Sequence, residues 1–203
     1  MRAASPVTFP SRFRRGIIVV SVDFPRLALT LAAVLLTSCQ GGTDPFEWAM
    51  SKAQLLPTQL RVGQRFPDQA ENEVVGGVVG RVRRGEPRWQ RFTACQSANV
   101  LFKDEERDGS DRYMTYRLCE LTTRLGKSVA REWPGLSLRI TEAWDDDGEH
   151  GRASLHYEGR AADLTTSDSD STRLGRLARL AVDAGMDWVY FENRNHVHVS
   201  VRR

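Results

Sequence analysis

Between Asp111 and Trp133 the apolar residues Met114, Leu118, Leu121, Leu125 and Val129 recur three or four apart, the spacing of one helix face. Pro134 and Gly135 end that pattern, and "LSLRIT", Leu136 to Thr141, then alternates with the period of a strand. A helix that gives way to a half-buried strand within two residues must lay its apolar stripe on a sheet. Further on, a second helix is expected from about Thr172 to Ala184, with Leu174, Leu177, Ala178 and Ala181 on one face and Gly185 as its stop. "GRAADLTT", "DWVYFE" and "HVHVSV" read as strands around it. The expected class is α+β, with a mixed or antiparallel sheet and two main helices packed on it. With 203 residues, 40% of them apolar, the chain is long enough for one such domain with a real core.

The first 38 residues read differently. Arg2, Arg12, Arg14, Arg15 and Arg26 precede the uncharged run Leu27 to Ser38, the order of a secretory signal. The run is too short to span a bilayer. Leu36, Thr37, Ser38 and Cys39 resemble a bacterial lipobox, which implies cleavage before Cys39, lipidation of that cysteine and a place in the bacterial cell envelope, with Gln40 suggesting the outer membrane facing the periplasm. The expected organisation is a signal at 1–38, a lipidated tether at 39–55 and a domain at 56–203. Removing 1–38 takes five of 29 basic residues and one of 26 acidic ones, leaving 24 against 25. The net charge of +3 therefore belongs to the signal, and no nucleic-acid partner is expected. An oxidising periplasm would let Cys95 and Cys119 pair.

All four histidines, His150, His156, His196 and His198, fall in the last third of the chain. In "HVHVSV" strand alternation would put His196 and His198 on one face. The segment "SLHYEGRAADL" adds His156 and Asp163, with Gly159 between them to turn the chain. Imidazole nitrogens and a carboxylate oxygen are ligands that zinc accepts, and a catalytic site keeps one position open for water. Unrelated surface histidines remain the plainer alternative.

"SLHYEGRAAD" fits S-x-H-x-x-G-x-A-x-D, the pattern of zinc peptidases that include D-alanyl-D-alanine carboxypeptidases and dipeptidases. From about Val74 to Val201 the chain resembles the hedgehog signalling domain, which shares that fold. The blocks that carry the likeness are "LFKDEERDGSDRYMTYR", "REWPGLSLRITEAWDDDGEH", "SLHYEGRAADLTTSDSD" and "LARLAVDAGMDWVYFENRNHVHVSV". The resemblance implies His156, Asp163 and His198 as ligands of one zinc, Glu192 as general base, and His196 and His150 lining the same cleft, with His196 able to stabilise an oxyanion or protonate a leaving amine. Bound zinc lowers the pKa of water toward about 7, and a carboxylate takes the proton as the water attacks an amide.

Ten of the 26 acidic residues lie in two windows, Asp104 to Asp111 and Glu142 to Glu149. Such runs are usually solvated loops, yet calcium takes six to eight oxygens from loops of this kind. The resemblance implies that Glu105, Glu106, Asp111, Glu142, Asp145 and Asp147 bind two calcium ions beside the zinc cleft. Because the sequence stops at Arg203, just after the last strand, developmental signalling through an autoprocessed animal precursor is not expected. The expected function is a calcium-modulated zinc peptidase acting on peptide substrates, peptidoglycan stem peptides foremost. The competing expectation is a catalytically silent module, ordered by zinc and calcium, that binds a protein or glycan partner.

Overall fold

The computed structural model describes residues 57–104, 107–145, 148 and 150–203. Eight strands and three helices occur among them: β1 (Arg65–Phe66), α1 (Glu71–Val75), β2 (Phe92–Ala94), β3 (Val100–Phe102), β4 (Tyr113–Thr115), α2 (Tyr116–Glu132), β5 (Leu138–Glu142), β6 (Ala161–Thr166), α3 (Leu174–Ala184), β7 (Trp188–Tyr190) and β8 (Val197–Ser200). Six strands form one sheet in the order β1-β7-β8-β6-β5-β3, and β2 pairs with β4 in a separate ribbon. Only β3 and β5 run parallel; every other pairing is antiparallel. The fold is therefore mixed α+β with a mixed sheet, as the patterning suggests.

The two longer helices bury the faces that their periodicity marks. Leu118, Leu121, Leu125 and Val129 of α2 and Leu174, Leu177, Ala178 and Ala181 of α3 join Leu138, Ile140, Leu164, Val197 and Val199 of the sheet in one core. Gly126 lets α2 approach the start of β3 closely, since a Cβ there would sit 2.8 Å from the Asn99 carbonyl oxygen. Gly185, at φ +94°, ends α3 and donates its N–H to Ala181 and Val182. Cys95 and Cys119 form a disulfide between the end of the β2 ribbon and α2.

Two boundaries differ from the periodicity. The first helix starts at Tyr116, because Tyr113–Thr115 pair with Phe92–Ala94 instead. Met114 keeps the helical spacing to Leu118 but is buried from a strand, and the Thr115 N–H is taken by the Gly159 carbonyl. Tertiary pairing thus overrides a local pattern that fits both states. The second helix starts at Leu174, since Asp170 caps a single 3-10 turn over Ser171–Arg173. Among the described residues, no helix is long and apolar enough to cross a membrane. The expected signal, the tether and lipidation at Cys39 lie outside the described residues.

Candidate metal centre

His156 sits in a 3-10 turn, Leu155–Glu158, whose entry is capped by the Ser154 hydroxyl accepting the His156 N–H at 3.2 Å. Gly159 closes the turn in the left-handed region, φ +58°, and returns its own N–H to the His156 carbonyl. The chain then enters β6, where Asp163 lies directly across from His198 of β8. Turn and register together bring three donors to one point. His156 Nε2 is 3.4 Å from His198 Nδ1 and 3.6 Å from Asp163 Oδ1, and His198 Nδ1 is 3.0 Å from the same carboxylate oxygen. Ligands held at about 2.0–2.1 Å by a tetrahedral ion lie roughly 3.3 Å apart, so these spacings suit a single ion.

The opposite ring nitrogens are fixed as well. His156 Nδ1 donates to the Ala143 carbonyl at 2.6 Å, which leaves Nε2 as the lone-pair atom. His198 Nε2 donates to Glu71 Oε1 at 2.8 Å, so Nδ1 faces the other donors. A carboxylate behind a ligating histidine sets its tautomer and raises its basicity. Glu71 reaches this position from α1, 127 residues away in sequence, and no motif or periodicity marks it.

Electrostatics agree with a cation at this point. Burial pushes the His156 imidazole down and keeps it neutral, against the smaller pull of Asp163. Burial opposes ionisation of Asp163, but hydrogen bonds from His156 and His198 outweigh it and hold the carboxyl well below the usual range. Burial likewise opposes charge on His198, yet Asp163 and Glu71 raise it to about 10. Burial disfavours the Glu71 carboxylate too, and contact with His198 more than compensates. In the metal-free protein His198 is thus a buried cation between two carboxylates, and a divalent ion would displace its proton.

The donors open into a cleft of about 420 Å³ that also receives His150, Glu192, His196, Trp188 and Tyr190. Glu192 Oε2 and His196 Nε2 are 2.8 Å apart, and His196 Nε2 lies 3.6 Å from Asp163 Oδ2. His196 precedes β8 rather than lying within it. Strand alternation therefore does not orient it. Asn193 Oδ1 does, accepting the N–H groups of Asn195 and His196 at 2.7 and 3.3 Å. His150 stacks on His156 with ring centroids 4.2 Å apart, and its Nδ1 is 2.8 Å from Asp145 Oδ2. Among the described residues, ligand atoms of His150, His156 and Asp163, and those of Asp163, Glu192 and His196, also lie within 4.8 Å of one another.

Of the six acids expected to hold calcium, Glu105, Glu106 and Asp147 lie outside the described residues. Asp111 is buried, with Oδ2 accepting the Asp104 N–H at 2.8 Å and Oδ1 the Ala143 N–H at 3.2 Å. Its carboxylate joins the first acidic window to the second, between Glu142 and Asp145. The same Ala143 gives its carbonyl to His156. One backbone residue thus connects the acidic windows to the metal donors.

The sequence profile described as the Hedgehog amino-terminal signalling domain matches residues 39–200. The chain is 46% identical over 147 residues to the Sonic hedgehog protein of Danio rerio, covering 71% of this chain and 35% of that protein. It is 42% identical over 188 residues to the Indian hedgehog protein of Xenopus laevis, covering 89% and 46%. Against the Protein hedgehog of Drosophila hydei it is 43% identical over 150 residues, covering 73% and 31%. The chain thus spans less than half the length of these relatives. By profile and by identity over most of its length, it belongs to the hedgehog amino-terminal signalling domain family.

Proposed function

We propose that this chain is a metal-ordered binding domain, in which one zinc on His156, Asp163 and His198 and two calcium ions in the acidic windows hold a cleft for a protein or glycan partner. The observation that carries the reading is the convergence of three donor atoms within 3.6 Å, each histidine backed by its own acceptor. The family, described as a signalling domain, and the relatives, named as hedgehog proteins, favour recognition over hydrolysis. A lipid on Cys39 would tether this domain to the bacterial envelope.

A second reading, peptide hydrolysis as in the D-alanyl-D-alanine peptidases, rests on Glu192 and His196 at the mouth of the cleft. Zinc, when bound, would supply a Lewis acid and an acidified water. Glu192 would accept a proton from that water, and His196, 2.8 Å from it, would hold the proton for the leaving amine. The neutral side of the cleft, Trp188 and Tyr190, would seat the peptide.

Purified muropeptides mixed with the zinc- and calcium-loaded protein separate the two readings. A binding domain retains them uncleaved, equally well in Glu192→Gln, and loses them on chelation. Cleavage that disappears in Glu192→Gln would replace the binding reading with the hydrolytic one; neither binding nor cleavage of any envelope peptide or glycan would defeat both.

A further inference from the structure

The Asp163 carboxylate turns its two oxygens toward two different sets of donors. Oδ1 faces His198 Nδ1 at 3.0 Å and His156 Nε2 at 3.6 Å, whereas Oδ2 lies 3.6 Å from His196 Nε2. His196 Nε2 is also 2.8 Å from Glu192 Oε2, and ligand atoms of Asp163, Glu192 and His196 all lie within 4.8 Å of one another. We propose that these three residues form a second divalent-metal site, bridged by the Asp163 carboxylate to the zinc on His156, Asp163 and His198. The proposal rests on the one-zinc reading above and adds a weaker, exchangeable ion beside it.

The second set of donors is held by its own turn. Glu192 and His196 enter from the loop joining β7 to β8, where Asn193 Oδ1 accepts the N–H groups of Asn195 and His196. A hydrogen bond between His196 and Glu192 accounts for the 2.8 Å contact alone. One N–H cannot serve both carboxylates, whereas an ion bound to that nitrogen can. A cation there also offsets the repulsion of two carboxylates that converge within the cleft.

The donor chemistry narrows the ion. One imidazole nitrogen with carboxylate oxygens suits zinc, cobalt or manganese, while calcium takes six to eight oxygens. In two-metal sites the ions stand about 3.5–4 Å apart, a spacing that the two oxygens of one carboxylate can bridge. The cleft, of about 420 Å³, leaves room for water to complete both coordination shells. Exposure then orders the two sites: the His156 side chain is 2% exposed, that of His196 23% and that of Glu192 45%. The second ion is therefore exchanged more readily, and dialysis removes it first. A filled second site occupies the lone pairs of Glu192 and His196 that the hydrolytic reading needs for proton transfer, so excess zinc would suppress hydrolysis.

The test is a cobalt(II) titration of the metal-free protein, in millimolar calcium to fill the acidic windows, followed by visible absorption and low-temperature electron paramagnetic resonance. The parent should bind two ions in sequence, the second more weakly. The resonance of the first should be attenuated as the second enters, because ions that share a carboxylate couple magnetically. His196→Ala and Glu192→Ala, both at partly exposed positions, should keep the first ion and weaken the second by at least about tenfold. A parent that saturates at one ion would overturn the second site and leave the first. So would a second ion that both variants hold with unchanged affinity, or one that leaves the first resonance unattenuated. A parent that binds no ion would overturn the one-zinc reading and this proposal together.

Discussion

Glu71 Oε1 lies 2.8 Å from His198 Nε2, on the far side of the imidazole from Asp163. A five-residue helix near the start of the described region thereby orients a candidate metal donor in the last strand. Removing such a partner commonly costs about tenfold to a hundredfold in metal affinity. Glu71→Ala should weaken zinc by that range in competition with a chromophoric chelator, and Glu71→Gln, which keeps an acceptor, should fall between it and the parent.

Gly159 is held at φ +58°, and a Cβ there would come 2.9 Å from Phe92 Cζ and 3.2 Å from Met114 Cα. Both the backbone conformation and the space exclude a side chain. Gly159→Ala should lower stability by about 1–3 kcal/mol in denaturant unfolding. Because the same turn carries His156, zinc affinity should fall with it.

Some of this arrangement was legible in the sequence and some was not. His156, Asp163 and His198 stand out as donor types around a turn glycine, and the register of β6 against β8 unites two of them. Glu71 had no comparable signal, since its partner is 127 residues away and no periodicity marks a helix of five residues. Met114 misled in the other direction, because a strand residue followed by a helix can continue the helical spacing by chance. The pairing that decides it is non-local.

Asp187 takes a two-pronged salt bridge from Arg117, 2.9 Å at each oxygen, and also accepts the Arg202 N–H. Burial opposes its charge, but these contacts outweigh it and lower the pKa from 3.8. A lowered folded-state pKa contributes stability above the unfolded value, and that contribution is lost as pH falls through the folded one. Since Arg117 is half-exposed, the pair is worth about 1 kcal/mol at neutral pH. Asp187→Asn should cost that much at pH 7, and thermal melts should show the gap closing as pH drops below 3.8.

If the acidic windows hold calcium, the ion stabilises the folded state by mass action. Millimolar calcium should raise the melting temperature, and Asp145→Asn combined with Asp147→Asn should remove most of the rise. Through Asp145, His150 and His156, calcium should also tighten zinc. An unchanged melting temperature in the parent would return these windows to solvated loops.

Zinc stoichiometry after equilibrium dialysis tests most directly whether one ion sits on His156, Asp163 and His198. Mass spectrometry of the dialysed parent and of Glu192→Gln should find one tightly held zinc per chain, and His156→Ala should hold none. A parent without zinc, or a His156→Ala protein that retains it with unchanged affinity, would contradict the account.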